Sequence, residues 1–383
     1  MLRALPLLLA CATSAWLLGC QQSDTASAPA ASPAAPFDRP IASARSIAHD
    51  LLAAPTPGVS VAVAIGGQIV WVEAFGEADV LVHRPVTTAT EFRIGSVSKS
   101  LTAVGAALLV EAGKLDLDAP IQRYVPTFPL KPWPITAREL GGHLSGIRHY
   151  KGEEFLSDQP CDTVASGLAI FADDLLVHEP GTGYHYSSYG FNLLSAAMES
   201  AAGEPYLDYM REHVIGPLAL THTEPDRATS SIPQRTSFFV RRDDGTVAPA
   251  PHVDISCKWA SGGYLSTPSD LVRFGSALLA PGFLTKASLD LLFTPQRTRD
   301  GKETEYGFGW EVSRDRHGRR WLWHTGGSVG GETALRMWPE GQLVVALVAN
   351  ARDAGPKHGE AIRAANRIAN EFAEALSAST NRR

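Results

Sequence analysis

Phe92-Arg93-Ile94-Gly95-Ser96-Val97-Ser98-Lys99-Ser100-Leu101-Thr102-Ala103 is the stretch on which the fold turns. A short strand region runs into Gly95. An Ala- and Leu-rich helix is predicted over 97–112, with Gly113 at its C-terminal end. Ser96 and Lys99 stand three apart at the helix start and so share one face. A serine hydroxyl is a weak nucleophile and needs a base beside it. A neutral lysine amine can serve, but its ordinary pKa is about 10.4, so burial or nearby positive charge must lower it. The helix N-terminus also directs backbone N–H groups at any developing oxyanion. Eight lysines and thirty serines lie in 383 residues. Chance alone then gives about 0.6 pairs at this spacing, so the pair carries weight only in its setting.

Two further elements supply that setting. Tyr186-Ser187-Ser188 precedes Gly190-Phe191-Asn192 and a helix. A tyrosine beside a lysine ammonium has its phenolate stabilised, so a lowered pKa and a proton-relay role are expected for Tyr186. His324-Thr325-Gly326-Gly327 closes a predicted strand. Its glycines permit close approach of a substrate backbone, and a strand-edge N–H can complete an oxyanion hole.

Outward from these motifs, the periodicity predicts a hairpin over 58–75 turning at Gly66-Gly67. Helices are predicted at 189–202, 206–214 and 270–279. Strands return at 307–312, 320–324, 332–338 and 343–350, and a last helix covers 357–376. With strands at both ends and helices between, the expected class is α+β. One antiparallel sheet is built from both chain ends and flanked by helices, and a mainly helical lobe (about 116–250) is inserted. The active site is expected in the cleft between them.

The three elements in this order resemble the serine beta-lactamase-like family, which holds class C beta-lactamases, D-alanyl-D-alanine carboxypeptidases and esterases. The flanking runs His143 to Ile147, Trp259 to Thr267 and Tyr306 to Trp310 are similar too. The runs His143–Tyr150 and Lys258–Thr267 look most similar to the mitochondrial branch of that family. The resemblance covers about residues 40–350. It implies a beta-lactamase/transpeptidase-like fold and an acyl-enzyme on Ser96. Lys99 and Tyr186 share proton transfer, and the backbone N–H groups of Ser96 and Gly327 form the oxyanion hole. His324 joins the catalytic set, and Ser188, Thr325 and Gly326 line the substrate side. Two departures stand out. Ser188 occupies the position where the family's beta-lactamases carry Asn, and His324 stands where Lys is common. Both point away from efficient beta-lactam hydrolysis and toward peptide, amide or ester substrates. The reading from another class is a non-catalytic, penicillin-recognising scaffold that keeps the fold.

Other chemistries fit poorly. Gly326-Gly327-Ser328-Val329-Gly330 matches the nucleophile-elbow pattern, with Asp353 and His358 following, but a hairpin rather than a helix is predicted after Ser328. No H-E-x-x-H or paired-cysteine spacing occurs, so no metal or other cofactor is expected. A net charge of -6 without a basic stripe argues against a nucleic-acid partner. Residues 1–19 read as a signal peptide ending before Cys20, in a Leu-Leu-Gly-Cys sequence that resembles a lipobox. Residues 20–37, rich in Ala, Ser and Pro, read as a disordered tether to a hydrolase body at 38–383. These features place the body at the cell envelope, lipid-anchored at Cys20 and facing the periplasm, with the outer membrane favoured by Gln21. In that oxidising setting Cys161 and Cys257 either form a bridge or stand as two buried thiols.

Overall fold

The computed structural model describes residues 37–242, 244–353 and 359–380. Cys20, the leader and the tether up to residue 36 lie outside the described residues, as does His358.

The central strand explains the layering. Leu343–Ala349 is apolar throughout and buried at every position, as a strand covered on both faces must be. Around it lies a seven-stranded antiparallel sheet. Its strands in chain order are β1 (Gly58–Ile65), β2 (Gln68–Asp79), β3 (Arg84–Pro85), β4 (Glu311–Arg314), β5 (Arg320–Ser328), β6 (Gly331–Trp338) and β7 (Leu343–Ala349). The order across the sheet is β3-β2-β1-β7-β6-β5-β4, so the two chain ends meet where β1 pairs with β7.

Alternation along the strands sorts the side chains into two cores. Val61, Val63, Trp321, Val345 and Leu347 face the terminal helices α1 (Asp38–Ala53) and α5 (Glu360–Thr380). Phe37, expected at the end of the tether, packs its ring 6.0 Å from that of Phe372. Ala62, Leu322, Leu335, Val344 and Ala346 face the opposite way, toward α2 (Val97–Glu111), α4 (Pro268–Leu279) and the inserted lobe. The lobe's main helix, α3 (Ser188–Ala202), packs against α2, and the rest is short helical turns and long connections.

Two local expectations shift. The strand foreseen at 307–312 begins only at Glu311. Tyr306 to Trp310 instead forms a tightly packed loop. Gly309 has φ +75°, and a Cβ there would lie 2.4 Å from Ala103 on α2. The helix foreseen at 206–214 is Tyr206–Met210, followed by a wider turn at Arg211–Ile215. Ser328 ends β5 and leads into a turn toward β6, so it opens no helix as an elbow nucleophile does. Cys161 and Cys257 are joined by a disulfide, which ties the loop after residue 156 to the segment that leads into Lys258.

Candidate active site

Helix α2 runs between the two halves and is buried along most of its length, polar residues included. Each buried polar group on it therefore needs a partner. Ser100 donates to the Gly309 carbonyl at 2.9 Å, and Thr102 donates to the Ala260 carbonyl at 2.7 Å. Lys99 is fully buried, and its Nζ reaches three oxygens: Ser261 O at 2.7 Å, Ser96 Oγ at 3.0 Å and Ser188 Oγ at 3.1 Å. Among the described residues no carboxylate touches it. Burial holds its pKa well below the usual lysine value. A neutral amine has two N–H bonds and one lone pair. In that form, donation to Ser261 O and Ser188 Oγ would use the first two and leave the lone pair to accept the Ser96 O–H, which is the geometry a general base needs.

Tyr186 reaches the Ser96 hydroxyl from the other side. The expected lowering of its pKa does not hold. Burial raises it, opposed by the Ser96 contact and reinforced by Tyr150, Tyr184 and Glu311. Burial is the main reason, and it outweighs whatever Lys99 contributes, with its Nζ 4.9 Å from the Tyr186 ring centre and its own pKa lowered by burial. Tyr186 rests as a phenol, a proton donor.

The oxyanion elements are brought together by glycines. Gly95 turns with φ +49°, and a Cβ there would lie 2.8 Å from the Gly327 backbone. A Cβ on Gly326 would lie 1.9 Å from Ile94 O. Gly326 is thus buried for close packing against the segment that leads into Ser96, and Gly327 is the residue that lines the pocket. Among the described residues no group accepts from the Ser96 N–H.

Two residues foreseen as facing substrate are engaged within the protein. His324 Nδ1 lies 2.7 Å from Thr325 O, and a carbonyl only accepts, so Nδ1 carries the proton. Nε2 then accepts the Tyr306 O–H at 2.9 Å. Burial pushes the His324 pKa down to about 3, and the ring is a neutral wall with both nitrogens occupied. Ser188 is buried, holding Lys99, and it also receives Tyr150. Thr325 remains on the pocket wall.

These groups border a cavity of about 230 Å³ with Ser96 in its lining. Its wall includes residues that sequence reasoning did not single out: His149, Tyr150, Lys258, Glu311 and Arg352. His149 Nδ1 accepts the Ser188 N–H at 3.2 Å, which leaves Nε2 as its N–H, and burial lowers its pKa to about 4. Lys258 donates to Phe155 O at 2.9 Å, and burial lowers its pKa to about 8, so it is still mainly charged at neutral pH. Arg352 lies against Gly327, where a Cβ would meet its guanidinium carbon at 2.7 Å. Lys258 and Arg352 thus supply the positive charge that His324 does not. The runs His143–Tyr150 and Lys258–Thr267 were conspicuous in sequence, and they contribute three of these five wall residues.

Residues 44–370 match the beta-lactamase family. The chain belongs to the beta-lactamase family. Relatives agree with that placement. The chain is 32% identical over 400 residues to the human serine beta-lactamase-like protein LACTB, mitochondrial, covering 79% of this chain and 73% of that protein. It is 28% identical over 344 residues to penicillin-binding protein 4* of Bacillus subtilis, covering 81% and 71%. The beta-lactamase fold is matched by the D-amino acid amidase of Ochrobactrum anthropi with a TM-score of 0.76 at 24% identity, over 90% of this chain and 100% of that one. The octameric penicillin-binding protein homologue of Pyrococcus abyssi gives 0.75 at 23% identity, over 88% and 77%. The family, the α+β fold and the geometry agree on a serine hydrolase.

Proposed function

We propose that the protein cleaves peptide, amide or ester bonds through an acyl-enzyme on Ser96. The observation that carries this is the fully buried Lys99 amine, its pKa lowered by burial, 3.0 Å from Ser96 Oγ with no carboxylate on it among the described residues. Ser96 Oγ attacks the substrate carbonyl as its proton passes to Lys99 Nζ. The negative charge on the carbonyl oxygen is met by the N–H groups of Ser96 and Gly327. Lys99 is now an ammonium beneath the Tyr186 ring and stabilises a phenolate, so Tyr186 gives its proton to the leaving group as the C–N or C–O bond breaks. Lys99 then returns a proton to Tyr186. In deacylation water loses a proton to the same pair and forms the acid, and Ser96 regains its own.

Beta-lactams fit this site less well than amides or esters. Ser188 is spent on Lys99 and offers no amide to an acyl side chain, and neutral His324 offers no charge to a carboxylate. The alternative, a non-catalytic scaffold, has no need of a buried amine held by three oxygens. The body is further proposed to work at the cell envelope, lipid-anchored through Cys20. The Cys161–Cys257 disulfide supports a site outside the reducing cytoplasm. Hydrolysis of a panel of small amides, esters and a penicillin tests the reaction. Turnover of esters or amides should exceed that of the penicillin and vanish in Ser96→Ala. Equal turnover by a folded Ser96→Ala would remove the proposal.

A further inference from the structure

Among the described residues lining the pocket, Glu311 is the sole carboxylate, and nothing in the reaction above uses it. It stands at the start of β4, opposite Trp323 on β5, beside the stretch of β5 that carries Thr325 and Gly327. No hydrogen bond to its carboxylate is formed within the described residues. Its charge acts on Tyr184, Tyr186 and Tyr306, of which Tyr186 also lines the pocket, and Arg336 and Glu305 act on it in turn. Glu311 is half-buried, and a carboxylate drawn partly out of water gains from a cation or several donors. Among the described residues the cation that acts on it is Arg336, whose guanidinium also donates to Asn366, while His324 on the pocket wall is neutral with both nitrogens occupied.

The position matters because Tyr186 marks a direction. The tyrosine protonates the leaving group, so the side of the cavity it shares with Glu311 holds the part of the substrate that departs. Lys258 and Arg352 occupy another part of the wall, with Phe155 against both. We propose that Glu311 selects the leaving group, favouring one that carries an ammonium or other cation and rejecting one that carries a carboxylate. A C-terminal carboxylate, as a carboxypeptidase substrate presents, would face Glu311 with no cation between them. An amine or amide leaving group with positive charge would supply the missing partner.

The inference rests on the Ser96 hydrolase reading, and the test separates the two. The full chain is given three esters of one acyl group whose leaving alcohols are of similar size: choline-like, neutral, and carboxylate-bearing. At pH 8, kcat/KM should fall in that order, with about tenfold between the first two. Glu311→Gln should bring cationic and neutral esters together and raise the carboxylate ester. Burial pushes the Glu311 pKa up to about 7, opposed by Arg336 and reinforced by Glu305. The wild-type cation preference should therefore grow from pH 6 to pH 8, and in Glu311→Gln it should stay flat. A circular-dichroism melt confirms that the variant is folded. Ser96-dependent turnover with the same ratios in both proteins would overturn the role of Glu311 alone. Failure of all three esters to turn over through Ser96 would overturn the hydrolase reading and the inference with it.

Discussion

Lys99 Nζ sits 3.0 Å from Ser96 Oγ, in a space where the amine is completely buried and no acid touches it. That arrangement suits Lys99 to the proposed role of taking the serine proton, because burial lowers the pKa of its amine. Lys99→Met keeps the length and removes the lone pair. It should lower the acylation rate by about 10²–10⁴-fold, with a small effect on stability. Stopped-flow acylation by an activated ester checks this, with urea denaturation as the control.

In the proposed mechanism Tyr186 acts later, on the leaving group. Tyr186→Phe should therefore slow amide hydrolysis far more than hydrolysis of a nitrophenyl ester, whose leaving group departs without a proton. A loss of about 100-fold on amides against a few-fold on the activated ester is expected in kcat/KM.

His143, His149 and His324 are all held neutral, with burial the main cause in each. Their folded pKa values lie below that of a free histidine, about 6.5, so the unfolded chain binds more protons at acid pH. Stability is then unaffected above pH 6.5 and falls as pH drops through the window down to about 3–4. Each histidine contributes a slope of at most about 1.4 kcal/mol per pH unit. Urea melts at pH 7, 6, 5 and 4 should show this fall, and His324→Gln should make it shallower.

Gly326→Ala would place a Cβ 1.9 Å from Ile94 O, which forces β5 away from the segment that positions Ser96. Activity should drop at least about tenfold, with a lower melting temperature, since a displacement near 1 Å at the reacting centre is costly. The disulfide closes a loop of 96 residues. The double variant Cys161→Ser/Cys257→Ser should lose about 2–4 kcal/mol of stability in urea melts.

Much of this arrangement was legible in the chain itself. The Gly66-Gly67 hairpin and the apolar run of β7 carry strong local signals, and both were observed. The Ser96–Lys99 pair was legible as well, because helical geometry puts residues three apart on one face. The Tyr306–Trp310 loop was not: its aromatic content resembles a strand, and only contact with α2 shows why Gly309 must turn. The direction of the Tyr186 shift was misread because it depends mainly on burial by distant segments, which the local sequence does not show. Ser188 and His324 have the residue types of substrate contacts and do line the pocket, and only their hydrogen bonds show that each is also held by groups within the protein. Arg352 and Glu311 reach the pocket through strand pairing alone, with no motif to mark them.

Labelling of the folded chain with a fluorophosphonate, read by intact mass and peptide mapping, tests the central claim most directly. One adduct on Ser96 is predicted. It should be absent in Ser96→Ala, retained in Ser328→Ala, and slower by at least about 100-fold in Lys99→Met. A folded wild-type protein that takes no label, or a Lys99→Met variant that labels at the wild-type rate, would contradict the account.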